Sequence, residues 1–320
     1  MNVIFLDIDG VLNTSDTFID MYYQKSTKFR MDCDRLMILK YLVNITNSKI
    51  VLCATDRVRL EKINNKIAPR DRIGKSLLDR FNEFDIDIYD RTDNLGFHKR
   101  EVEILKYINE HDIDNFCIID DSINDYDYLK KFLIHTKNGL DETYIDSIID
   151  SLIPNKKIIF LDIDGVLNNP STSQLLDIKN IQVLKKIITL SNALVVITSS
   201  NKYEYQVTNI PFFQSHFYQY LKILSQNDIP IYKITPLVNK NKELEIEQFL
   251  NKHLDITNFL ILDDLVITKK YQTNLHLVDN TTGLQETDVK NALAILNGIY
   301  ENNYKDEINE EKILVRKLFI

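Results

Sequence analysis

Asp7 and Asp9 stand two residues apart at the end of an apolar run, in FLDIDGVLN (5–13), and the same nine letters return at 160–168 with Asp162 and Asp164. Residues two apart on a strand point to the same side, so each pair of carboxylates is expected to share a pocket. Close carboxylates repel unless a cation or a shared proton compensates. Asp120 and Asp121 in NFCIIDD (115–121), and Asp263 and Asp264 in NFLILDD (258–264), offer further oxygens. Carboxylates, a carbonyl and waters suit octahedral Mg2+. A lone acid after a strand also serves as a helix cap; two matched sets in one chain favour a metal site. In DDSIND (120–125), Asp121 and Asp125 are one helical turn apart and are expected to face the metal together, whereas DDLVIT (263–268) lacks the later acid.

Other landmarks also recur in order. IVLCATDR (50–57) answers VVITSSNK (195–202), DIYDRT (87–92) answers PIYKIT (230–235), and IHTKNGL (134–140) answers LVDNTTGL (277–284). The offset is 155 at the first motif and 143–145 later, so the first copy carries about ten extra residues just after its first motif. A period of this length means two domains, not a solenoid. The expected boundaries are 1–153 for the first copy, 156–299 for the second, and 300–320 for a C-terminal helical tail.

Each copy alternates short β-rich runs with segments of helical periodicity. In the first, VIFLDI, KIVLC, DIDIYD, NFCIID and FLIHT read as strands, and DRLMILKYLVNIT, IGKSLLDRFNEF and KREVEILKYINEH as helices. Nearly continuous apolar strands between helices imply a parallel α/β sheet covered on both faces. Ligands bind beyond the carboxyl ends of such strands, where the acids lie.

The totals narrow the function classes. The chain has 320 residues, 44% hydrophobic, with a net charge of −8. An acidic balance argues against extended duplex binding, though not against a local basic patch. Cys33, Cys53 and Cys117 form no C-x-x-C pair and read as reduced thiols of a cytoplasmic protein, and the six histidines show no metal-ligand spacing. No apolar run reads as a signal peptide or a membrane span.

The motifs in both copies resemble the haloacid dehalogenase (HAD) superfamily of phosphatases, and in particular the small HAD domains associated with RNA-repair proteins. The resemblance implies two tandem Rossmann-like domains of strand order 5-4-1-2-3. It implies that Asp7 and Asp162 are nucleophiles forming an aspartyl phosphate, and that Asp9 and Asp164 protonate the leaving oxygen and then activate water. Mg2+ is the implied cofactor, with Asp7, Asp9, Asp120, Asp121 and Asp125 as ligands in one copy and Asp162, Asp164, Asp263 and Asp264 in the other. Gly10 and Gly165 let the chain turn tightly beside the phosphate.

The two copies depart from the family pattern at different places. The family's phosphate-binding hydroxyl is Thr198 in the second copy, but Cys53 stands there in the first, with Thr55 two residues on. A cysteine at a strand end also reads as a small buried residue. The family's lysine is matched to Lys99; the second copy has Asn241 there, flanked by Lys240 and Lys242. The first copy, with the fuller charge set, is therefore the expected better catalyst.

The spacings between motifs leave no room for the cap domain many HAD enzymes insert, so both copies read as capless, with open sites suited to a large phosphorylated substrate such as a nucleic-acid end or a phosphoprotein, unless the neighbouring copy covers them. Lys25, Lys28 and Arg30, interleaved with Tyr22, Tyr23 and Phe29, make a basic flap that could hold phosphates and bases, or a surface loop with its aromatics tucked inward. The aromatics Tyr203, Phe212, Phe213, Phe217 and Tyr220 read as helix packing or a contact between the two copies, which are expected to pack on each other. Two functions compete: a Mg2+-dependent phosphomonoester hydrolase acting on nucleotides or nucleic-acid ends, and a catalytically degenerate pair serving as a binding or structural module.

Overall fold

The computed structural model describes residues 1–17, 29–96, 99–171, 174–204 and 212–299. Tyr22, Tyr23, Lys25 and Lys28 of the flap and the tail 300–320 lie outside them, as does the side chain of Phe212. The chain divides into two compact units, Met1–Pro154 and Asn155–Ile320.

The first unit holds β1 (Asn2–Leu6), α1 (Cys33–Thr46), β2 (Lys49–Leu52), β3 (Leu60–Ile63), β4 (Lys66–Pro69), α2 (Arg72–Asn82), β5 (Ile88–Arg91), α3 (Arg100–Glu110), β6 (Asn115–Asp120), β7 (Leu133–His135) and α4 (Ile145–Leu152). Its five-stranded sheet runs β5-β2-β1-β6-β7, and every pairing is parallel. The second unit holds β8 (Lys156–Leu161), α5 (Ile178–Ser191), β9 (Leu194–Ile197), α6 (His216–Gln226), β10 (Ile231–Ile234), α7 (Lys242–Lys252), β11 (Ile256–Asp263), β12 (Leu275–Leu277) and α8 (Val289–Leu296). Its sheet runs β10-β9-β8-β11-β12, also parallel throughout. Counting sheet strands within each unit, both have the order 5-4-1-2-3 read from the far edge. The first unit adds the antiparallel hairpin β3–β4, which the sequence reading did not anticipate. Among the described residues, the gaps between motifs hold helices and this hairpin but no cap domain.

Local chemistry repeats with the topology. The first long helix of each unit starts on an aspartate, Asp32 or Asp177, whose side chain accepts from backbone amides of the first turn. Each ends on an asparagine in the left-handed region, Asn47 (φ 49°) or Asn192 (φ 53°). The central strands are apolar because both faces are covered: Val3–Leu6 and Ile158–Leu161 are wholly buried. Phe5 meets Tyr107 and Phe116 edge-on at 5.7 and 5.8 Å. In the second unit Phe160 meets Phe249 and Phe259 edge-on at 5.5 and 5.7 Å. Phe217 and Tyr220 are buried in the core of the second unit, while Phe213 is exposed.

Candidate functional site

Parallel pairing brings the carboxyl ends of the central strands level. The amide of Asp7 donates to the Ile119 carbonyl of β6 (3.0 Å), and that of Cys53 to the Leu6 carbonyl of β1 (3.0 Å). In the second unit Asp162 donates to Leu262 (2.9 Å) and Thr198 to Leu161 (2.9 Å). The first aspartate, the residue at the position matched to the family's phosphate-binding hydroxyl (motif two, Cys53 or Thr198) and the strand-four acids thus meet at one end of each sheet.

Asp7, Asp120 and Asp121 form one group whose carboxylate oxygens lie within 4.8 Å of one another, and Asp162, Asp263 and Asp264 form the other. Burial pushes the Asp7 carboxyl up to about 7; Arg100 opposes the shift and Asp120 adds to it. Burial, together with the charge on Asp162, lifts Asp263 to about 6. Burial also raises Asp162, against the pull of Lys242. Crowded acids held this way suit a divalent cation, and three oxygen donors per unit fit Mg2+.

Among the described residues, each group is met by one cation. In the second unit Lys242 Nζ lies 2.8 Å from Asp162 and 2.7 Å from Asp263. In the first unit the cation is Arg100, 3.2 Å from Asp7 and hydrogen-bonded to Asp120. The expected Lys99 is one residue short: it precedes α3 and is exposed, and the helix turns Arg100, not Lys99, toward the acids. Lys240 is likewise exposed, in a turn before α7, so of the two candidates in the second unit only Lys242 joins the acids.

Other expected site residues stand apart from the groups of three acids. Asp125 lies in a turn, not on a helix with Asp121, and is not part of the acid group. Asp9 and Asp164 also stay outside the groups of three, because both strands end before the first aspartate and strand alternation no longer governs the chain. At Gly10 (φ 73°) and Gly165 (φ 74°) the backbone turns through the left-handed region. A Cβ there would sit 2.0 Å from Asp121 Oδ2 and 2.5 Å from Asp264 Oδ2, respectively. The last letter of FLDIDGVLN then fixes the second acid. The amide of Asn13 donates to Asp9 Oδ1 and that of Asn168 to Asp164 Oδ1, each at 2.9 Å, while each asparagine's Oδ1 accepts from the glycine amide. Asp164 has two further donors, Asn201 Nδ2 at 2.5 Å and Tyr220 Oη at 3.0 Å. The motif contained these asparagines twice, and their role was missed.

Thr198 is fully buried, and its Oγ1 has no hydrogen-bond partner among the described residues. Its counterpart Cys53 is equally buried; burial, with the nearby Asp7 charge, raises its pKa so that it stays a neutral thiol, a weak donor. Thr55 is exposed at the start of the following turn, two residues beyond Cys53. Beneath each motif-two turn lies a buried ion pair. Lys202 Nζ is 2.5 Å from Glu245 Oε2 and bonds the Thr235 hydroxyl. Arg57 Nη2 is 2.5 Å from Glu103 Oε2, with Arg57 Nη1 bonding the Cys53 and Ala54 carbonyls. The first site opens on a cleft of about 380 Å3 lined by Asp9, Gly10, Asn13, Thr14, Ser15, Lys137 and Asn138.

A family model of the HAD domain in Swiss Army Knife RNA repair proteins matches residues 3–145 and again 158–289. The chain belongs to this HAD family. Its two family segments cover the duplicated sheets, and the paired aspartates, the motif-two turn and the cation-bearing helix lie within them in both units. No curated protein matches the chain.

Proposed function

We propose that the protein is a Mg2+-dependent phosphomonoester hydrolase whose second unit carries the chemistry, acting on phosphorylated ends of nucleic acid. The observation that carries this reading is the buried, unpartnered Thr198 hydroxyl at the end of the strand beside Asp162. A buried donor without a partner costs stability, and a phosphate oxygen would complete it.

In this reading Asp162 Oδ attacks phosphorus and the ester oxygen leaves, taking a proton from Asp164. Asp164, held by Asn168, Asn201 and Tyr220, then takes a proton from water as the water displaces phosphate from Asp162. Lys242 lies between Asp162 and Asp263 and offsets charge on the transferred group. Asp162, Asp263 and Asp264 would hold Mg2+, which when bound would add positive charge beside the phosphate oxygens. The family's association with RNA repair supports a nucleic-acid end as substrate.

A second reading applies to the first unit. Its neutral, buried Cys53 stands where the phosphate donor belongs, which favours a binding role there over catalysis. The expectation that the first copy is the better catalyst rested on Asp9, Lys99, Asp121, Asp125 and the basic flap; Asp125 does not join the acids, and Arg100 stands in the place given to Lys99. Turnover of a simple aryl phosphate with Mg2+ and with EDTA tests the proposal: Mg2+-dependent release of phosphate supports it, and no turnover across several phosphoesters from a folded sample refutes it.

A further inference from the structure

Resting on the reading that the phosphoester stands at a nucleic-acid end, we propose that hairpin β3–β4 and the start of α2 form a binding surface for the phosphate backbone of a single-stranded nucleic acid. Between Asp56 and Lys75 the chain carries seven Lys and Arg against three acids, in a protein of net charge −8. The second unit has no such stretch: between Thr198 and Lys222 it has Lys202, Lys222 and Glu204, and Lys202 is buried.

Three of the seven cations are engaged elsewhere: Arg57 on Glu103, Arg59 on Asp56 and Asp71, Lys62 on Asp90. Lys66, Arg70, Arg72 and Lys75 are exposed and have no carboxylate partner among the described residues. They are held on a firm frame. Asn64 and Asn65 both have positive φ (49° and 59°), the geometry of a tight two-residue hairpin turn. Leu60 is buried and anchors the inner face, so Lys66, opposite Ile63, stands on the outer one. The Arg70 amide donates to the Arg59 carbonyl (2.8 Å), and Asp71 caps α2 through the Gly74 amide (2.7 Å). Arg72 and Lys75 follow one turn apart.

Position and chemistry together select the ligand. β2 and β5 are parallel, so the chain between the end of β2 and the start of α2 lies at the carboxyl end of the sheet, the end that carries Asp7 and Asp120. Exposed cations without carboxylate partners among the described residues, close together in the chain, complement a run of phosphates, and the guanidinium forks of Arg70 and Arg72 suit phosphate oxygens. Ile63 and Ile73, each about half exposed, stand among them as apolar contacts for sugar or base. Four cations on one short stretch, Lys66 on the hairpin, Arg70 just after it and Arg72 and Lys75 in the first turn of α2, match a short single strand; the acidic remainder of the chain opposes a long duplex.

The test uses the full chain in EDTA and a labelled, 5′-phosphorylated single-stranded RNA of about 12 nucleotides, within the span one small domain covers. Four phosphate contacts predict a log–log salt slope of about −3. The triple variant Lys66→Ala/Arg70→Ala/Arg72→Ala should bind about tenfold or more weakly at low salt, with the slope cut by about two. Aryl phosphate turnover should not change, because none of these residues touches the reacting atoms. Arg70→Lys/Arg72→Lys, which keeps the charge, should retain most binding, and circular dichroism confirms that each variant is folded. Unchanged RNA binding by the triple variant overturns the proposal, as does tighter binding of a phosphopeptide or of anionic vesicles than of RNA. Hairpin-dependent RNA binding by a chain with no phosphatase turnover upholds the surface and removes the hydrolase reading.

Discussion

Lys242 Nζ stands between Asp162 and Asp263, 2.8 and 2.7 Å from their carboxylates, and Arg100 occupies the same place between Asp7 and Asp120. Burial works against the Lys242 charge, but the two acids more than restore it, so its pKa is raised. One cation against three acids leaves an excess of negative charge in each unit. Replacing Lys242 with Met should lower aryl phosphate turnover by about 100-fold or more, the scale of losing a preorganised charge contact. Lys242→Arg, which copies the first unit, should lose less. Steady-state kinetics of the two variants separates lost charge from lost shape.

The pH dependence of metal binding follows from the burial of the acids. Asp7 titrates at about 7 and Asp263 at about 6 in the fold, against about 4 for an unfolded aspartate. Without metal, the folded chain holds protons that the unfolded chain has released, so its stability falls as pH rises from about 4 to about 7. A cation needs the charged carboxylates, so its binding releases protons and strengthens over the same window. Melting in EDTA should drop between about pH 5 and about pH 8, and the increment from millimolar Mg2+ should grow. Equal increments at both pH values would contradict the shifts.

The buried pair under each motif-two turn is a stability element. Lys202 and Glu245 side chains are each 1% exposed. Glu245→Ala leaves an uncompensated buried ammonium and should cost about 3–5 kcal/mol in denaturant melts of the second unit. Burial already lowers the Lys202 pKa. The neutral amine suits the fold, whereas the unfolded lysine stays protonated, so the loss should shrink as pH rises. A loss that does not change with pH would argue against a buried charge as the cause.

Gly165→Ala places a methyl group 2.5 Å from Asp264 Oδ2 at φ 74°. The expected result is a folded but weakened second unit in which the Mg2+-induced rise in melting temperature is diminished, because Asp264 must move. Isothermal titration with Mg2+ checks it; unchanged affinity would remove Asp264 from the metal site.

Much of this was legible because the duplication let one copy test the other. FLDIDG, the paired acids at the fourth strand and the alternation of strands and helices specify a parallel sheet with its acids at the carboxyl end. The slip from Lys99 to Arg100 came from adjacent basic residues whose order at a helix start composition cannot resolve. Glu103 and Glu245 would have given the register, since each lies three residues after the true cation. Asp125 was misplaced because a turn follows β6 where a helix was assumed. Hairpin β3–β4 was missed because its strands are four residues long, and its signal, Asn64-Asn65, is weaker than Asn-Gly. The buried pairs could not be read at all, because which charged residues face inward depends on packing.

The central claim is that the second unit is the enzyme, and paired nucleophile variants test it most directly. Asp162→Asn and Asp7→Asn keep side-chain shape but remove the attacking carboxylate. Aryl phosphate turnover at saturating Mg2+ should fall to near background in Asp162→Asn and stay close to the unmodified protein in Asp7→Asn. Full activity in Asp162→Asn with loss in Asp7→Asn would assign the chemistry to the first unit, and would show that a buried thiol at Cys53 serves where the Thr198 hydroxyl was judged necessary.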